Sequence, residues 1–138
     1  MSELTRLGRV KLETEFVDLA YRLTEAKAGE KSYRVGIIEF SLKRPVAPGP
    51  EAKELVKIFK AFVKEFMPDH EITVVSGRGP IWFYGMIAHE LVHVTKALAF
   101  FDPKLEGAVL IATHYYDIPL EPGDIIKLKT EEVKELTQ

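Results

Sequence analysis

EITVVSGRGPIWFYGMIAHELVH, residues 71–93, carries three kinds of local structure in one run. EITVV is a short apolar, β-branched run of the kind that forms a buried strand, and SGRGP is a glycine turn. Pro80 suits the first turn of a helix, because the N–H that proline lacks would have had no partner there. The helix is expected over roughly 80–96, where Trp82, Met86, His89 and His93 recur at spacings of four, three and four on one stripe. Strand, turn and helix together make a βα unit, the building element of α/β folds.

Upstream, residues 9–24 and 33–42 alternate and are rich in β-branched and aromatic residues, with Gly29 and polar neighbours between them, which predicts an antiparallel pair of strands. The Pro/Gly connection 44–50 follows. Leu55, Ile58, Phe59, Phe62, Val63 and Phe66 then return every three or four residues, an amphipathic helix over about 50–66 that ends near Pro68. Downstream, 97–101, 108–113 and 124–129 read as three more strands, joined by the turn 102–107 and by a loop with Pro119, Pro122 and Gly123. Residues 130–138 are expected to form a frayed or short helical tail. With no repeat and no linker composition, the pattern predicts one α/β domain over 1–138, a mixed sheet with two main helices.

Composition narrows the function classes. With 19 basic and 21 acidic side chains the net charge is −2, so no general field draws the chain to nucleic acid or acidic lipid, and an anionic ligand must be held locally. The absence of cysteine excludes disulfides and thiolate metal sites, and residues 1–25 lack the apolar core of a secretory signal, so a cytoplasmic location is expected. Apolar runs are too short to cross a bilayer, so no membrane association is expected. Asparagine is absent and Gln138 is the lone glutamine while Lys and Glu abound, a bias shared with thermophile proteins.

Four places carry candidate chemistry. In SGRG (Ser76, Gly77, Arg78, Gly79) a strand runs through Gly-x-Gly into a helix, which offers unpaired N–H groups at the positive end of the helix dipole, and Arg78 adds a planar donor fork for phosphate oxygens. A tight turn with a solvated arginine is an equally good reading, and the Walker loop spacing is missing. HELVH, 89–93, matches the short zinc peptidase pattern, for which Asp102, Glu106 or His114 would have to supply a third ligand; two satisfied boundary histidines are the plain alternative. Asp102 opens an Asp-Pro turn, ordinary turn chemistry by itself. His114 ends a strand, and His70 reads as a solvated residue beside a loop. Trp82 reads as a core residue before a stacking platform.

Taken together, SGRGPIW (76–82), His89 and His93 on the next helix, DP-x-L-x-GAV (102–109), TH (113–114) and the late GD (123–124) resemble one family. It is the CRISPR-associated type III ring nucleases first described as manganese-dependent RNA deadenylases, and the resemblance covers about residues 33–129. It implies a fold distantly like the Rossmann-type domains that sense cyclic oligoadenylates, assembly into a homodimer or higher homo-oligomer, and cleavage of cyclic tetra-adenylate or of the 3′ adenylates of linear RNA. By motif match His93 and Asp102 take the catalytic positions. Ser76, Gly77, Arg78, Gly79, Lys104 and His114 fall near the substrate, and His89, His93 and Asp102 are the implied manganese ligands.

The residues suit that chemistry. Cutting RNA by its own 2′-hydroxyl needs a base, stabilisation of phosphoryl charge and an acid for the leaving oxygen, and histidine can take the first or the third task. The other readings are a small HExxH zinc peptidase, with Glu90 as its general base, and a non-catalytic module that binds the cyclic messenger.

Overall fold

The computed structural model describes residues 9–66, 70–114 and 117–134. Seven strands form one sheet whose spatial order is their order in sequence: β1 (Arg9–Glu13), β2 (Val17–Ala28), β3 (Lys31–Leu42), β4 (Ile72–Ser76), β5 (Ala97–Asp102), β6 (Gly107–Thr113) and β7 (Ile125–Lys127). The central steps β3–β4 and β4–β5 are parallel and every other step is antiparallel, so the sheet is mixed as expected. Helix α1 (Pro50–Phe66) bridges β3 to β4 and α2 (Ile81–Leu91) bridges β4 to β5; a single turn, α3 (Thr130–Val133), follows β7.

The strand predicted over 9–24 is broken in two. The Thr14 hydroxyl accepts from the Val17 amide at 3.0 Å and donates to the Val17 carbonyl at 2.7 Å, a side-chain turn that folds β1 back along β2. β2 then runs to Ala28 and turns into β3 through two residues, 29 and 30, with Gly29 at φ +66. The predicted end of α1 near Pro68 lies outside the described residues, as does the tail beyond residue 134.

Both long helices cover the same sheet face. Val17, Leu19, Tyr21, Ile38, Phe40, Val75 and Leu98 meet Leu55, Phe59, Phe62, Val63 and Phe66 of α1 and Phe83, Ile87 and Leu91 of α2 in one buried cluster. A fully buried side chain of this kind contributes roughly 1.5–3 kcal/mol, so this layer dominates stability. Among the described residues the other face carries no helix of that length. The sheet curls until β7 contacts β2, and the Arg22 guanidinium donates to the Glu132 carbonyl at 2.9 Å across the closure. The small side chains of Ala26, Ala28, Ala97, Ala99 and Ala108 line this second core, which lets the curled sheet close on itself. The parallel strands advance in one direction, β3–β4–β5, without the reversal that defines a doubly wound sheet, so the Rossmann-like expectation is not confirmed.

His70 is not the solvated loop residue that its neighbours suggest: it is 1% exposed, in a buried polar chain on the helix-covered face. The Thr95 hydroxyl donates to the Ala97 carbonyl and so accepts from Thr73, which in turn accepts from His70 Nε2 at 2.8 Å. That leaves His70 Nδ1 to accept from the Tyr21 hydroxyl at 3.1 Å, which fixes the neutral Nε2–H tautomer. Gly36 makes room for the ring, since a methyl group there would meet His70 Nδ1 at 2.5 Å.

Burial, helped by the charge of Arg34, lowers the His70 pKa from 6.5 to about 4. The unfolded chain therefore takes up a proton that the folded chain refuses between these two values. Above pH 6.5 the contribution to stability is complete, and it is lost as pH falls towards 4, by about 3 kcal/mol in all. Urea denaturation of His70→Gln is expected to show a flatter midpoint profile between pH 6.5 and 4 than the wild type; parallel profiles would refute the assignment.

Candidate functional site

Strand β4 lies between two parallel neighbours, and its carboxyl end runs directly into the SGRG turn. Ser76, its last residue, is buried and pairs in register with Glu39 at the corresponding level of β3. The chain then turns through Gly77 at φ +152, where a side chain would be strained, and a Cβ there would meet the Phe40 carbonyl oxygen at 2.5 Å. The Tyr84 hydroxyl, reaching back from α2, donates to the Gly77 carbonyl at 2.6 Å. Burial raises the Tyr84 pKa well above its usual 10, so the phenol stays protonated and remains the donor. Exposed Arg78 projects from this braced turn, and Gly79 leads into Pro80 and α2. A cavity of about 480 Å³ lies beside the turn, lined by Glu39, Ser76, Gly77, Arg78, Phe101 and Lys134 among others.

Two glycines give opposite expectations. Gly77→Ala should cost about 1–3 kcal/mol in backbone strain alone, plus the overlap with Phe40. Gly85, inside α2 with open space around its Cβ position, should gain up to about 1 kcal/mol on substitution by alanine. Thermal denaturation of the two variants should shift in opposite directions; a shift of the same sign would overturn the account of the turn.

The histidine helix is shorter than predicted. It ends at Leu91 with Val92 as its C-cap, because the amides of both Val94 and Thr95 bond to the Leu91 carbonyl and the Thr95 side chain is drawn into the buried chain at His70. His93 therefore stands in the turn after α2. It still faces His89, their exposed rings 5.6 Å apart and nearly perpendicular. Trp82 is 40% exposed and lines a groove of about 600 Å³ between α1 and α2 with Lys53, Lys57 and His89, so the expected core role is corrected.

Asp102 is the last residue of β5, and its Oδ1 accepts from the Lys104 amide at 2.9 Å, which opens the turn. His93 precedes that six-residue strand and Asp102 ends it, which separates them by roughly 15–20 Å. His114 bonds through its amide to the Lys96 carbonyl at 3.3 Å, so it sits at the His93 end. The candidate residues thus fall into two groups. Ser76, Gly77, Arg78, Gly79, Asp102 and Lys104 lie towards the carboxyl end of the parallel strands; His93 and His114 lie at the opposite end, with His89 one turn from His93.

His89, His93 and Asp102 do not converge within one chain, and among the described residues no three His, Asp or Glu side chains gather as a metal site. Within a single subunit the strand between His93 and Asp102 keeps the implied ligands apart, as its predicted length leads one to expect. The zinc peptidase reading gains no third ligand among the described residues, His114 included although it lies at the His93 end, and Glu90, its required base, is bound by Lys60 at 3.4 Å. Glu39 is the residue that sequence reading passed over. Its signal is a lone carboxylate near the end of the apolar strand YRVGIIEFSL, 2% exposed in the fold.

The site thus sets a glycine-bounded, exposed arginine at the end of a parallel strand of an α/β domain. The comparisons give the family: a model described as CRISPR-associated protein (Cas_csx3) matches residues 53–127, and the chain belongs to that family. It is also similar to an uncharacterized protein of Aquifex aeolicus (strain VF5), 40% identical over 91 residues, which are 66% of this chain and 76% of the relative. No solved structure matches it. No helix among the described residues is long and apolar enough to cross a membrane.

Proposed function

We propose that this CRISPR-associated protein is a phosphodiesterase that cleaves cyclic tetra-adenylate, and the 3′ adenylates of linear RNA, in type III defence. The observation that carries the reading is the SGRG turn at the carboxyl end of β4, braced by Tyr84 and Phe40 and open to a nucleotide-sized cavity, in a member of the Cas_csx3 family. Backbone N–H groups of the turn and the Arg78 fork hold phosphate; His93 exchanges protons with the reacting hydroxyls.

Because His93 and Asp102 lie at opposite ends of β5, a working centre takes His89 and His93 from one copy and Asp102 from another in a homo-oligomer. Two imidazoles and a carboxylate suit manganese, which would supply charge stabilisation at the phosphoryl group. The deciding experiment is incubation with radiolabelled cyclic tetra-adenylate and manganese, followed by chromatography. Linear products support the nuclease, and a messenger bound but returned intact makes the protein a sequestering module.

Arg78→Ala is expected to weaken messenger binding by about tenfold or more while the single-turnover rate of the bound complex changes less, as befits a group that positions phosphate. Unchanged affinity with a collapsed rate would make Arg78 a transition-state group instead.

A further inference from the structure

Glu39 and Ser76 are in register on adjacent strands, and Phe101 on β5 follows directly after the Val75–Phe100 pair. A carboxylate, a small hydroxyl and a phenyl therefore stand in one row across the carboxyl end of the parallel strands, on the face away from the two long helices. Neighbouring strands are about 4.8 Å apart, so the row spans roughly 10 Å, with the serine as the low point between two taller side chains. All three line the cavity beside Arg78, and its volume, about 480 Å³, falls in the range of small-ligand sites.

We infer that this row is a base-reading pocket in which Glu39 accepts a hydrogen bond from the exocyclic amino group of the nucleotide whose phosphate rests on SGRG. The inference rests on the proposed function and extends it to the choice of base. The cavity already contains its anion-binding parts, Arg78 and the glycine turn, with Lys134 at its rim. The carboxyl oxygens of Glu39 stand among them as hydrogen-bond acceptors, and the complement of an acceptor on a nucleotide is an N–H or O–H donor. The 6-amino group of adenine is such a donor. The 6-oxo group of hypoxanthine or guanine presents an acceptor to the same carboxylate, and that pairing is repulsive. Phe101 supplies an apolar surface for the ring, which stacks without regard to base identity, so the discrimination falls to Glu39.

The test compares equilibrium binding of cyclic tetra-adenylate, cyclic tetra-inosinate and the 2′-deoxy form of the adenylate ring. Wild-type protein is expected to prefer the adenylate over the inosinate ring by about 10–100-fold, the worth of one hydrogen bond to a charged group. Glu39→Gln, whose amide can donate as well as accept, should reduce that preference to about threefold or less while leaving the penalty for the deoxy ring unchanged. Equal affinity of the wild type for adenylate and inosinate overturns the inference whether or not the variant folds. Full preference retained in Glu39→Gln, or a deoxy penalty that disappears in it, also overturns it, the latter placing the carboxylate on the ribose. Failure of the wild type to bind any ring would bring down the nuclease reading itself, an outcome separate from equal binding of all three.

Discussion

His93→Ala and Asp102→Ala protein are each expected to lose the proposed cleavage of cyclic tetra-adenylate, and a mixture of the two, after subunit exchange, is expected to regain about a quarter of wild-type activity. The expected loss in each single variant is on the order of 100-fold or more, the usual worth of a positioned acid–base group. The recovery follows from symmetry. In a twofold dimer each centre combines His93 of one copy with Asp102 of the other. A mixed dimer then has one centre with both residues intact and one with both removed, and random exchange makes about half of the dimers mixed. The reason to expect a shared centre is the length of β5: six residues of extended chain lie from Ala97 to Asp102, and no rotamer closes that gap. If exchange is verified and the mixture remains inactive, the centre lies in one chain.

The βα unit at 71–93 was legible because each of its parts has a local cause: β-branched residues for the strand, glycines for the turn and Pro80 for the start of the helix. Its far end was less legible. HELVHVT keeps a helical stripe past residue 91, but Thr95 is committed to Thr73 and Ala97, partners that are distant or outside the helix and that periodicity does not reveal. The same limit applies to His70, whose burial depends on Gly36 and Tyr21 across the sheet. The break at Thr14 was a local signal missed, since threonine three residues before Val17 can close a side-chain turn within an alternating run. Of the candidate site, the glycine turn at SGRG was legible as a turn between strand and helix, and the separation of His93 from Asp102 was legible in the strand predicted over 97–101. Glu39 stood out only as a lone carboxylate in an apolar strand, and strand pairing alone puts it beside Ser76.

Removal of divalent metal should abolish cleavage without unfolding the protein. Excess chelator is expected to lower the rate of cyclic tetra-adenylate cleavage by about 100-fold or more, and added manganese should restore it, since Lewis-acid stabilisation of phosphoryl charge is worth several kcal/mol. The chain has little to put in place of the metal: the cavity at SGRG is lined by the cations Arg78 and Lys134, and the buried carboxylate of Glu39 lies among them. Stability should be indifferent to the same treatment. His89 and His93 are exposed, and the cores lie elsewhere, between the long helices and the sheet and inside the curled second face, so the thermal midpoint of the isolated chain should not move with chelator. If the proposed assembly forms, the dissociation constant between subunits should rise on chelation, because a metal held by His89 and His93 of one copy and Asp102 of another would link the two. Full activity in excess chelator would remove the metal from the mechanism. Activity lost with no change in subunit affinity would leave a metal in the reaction and place it wholly within one chain.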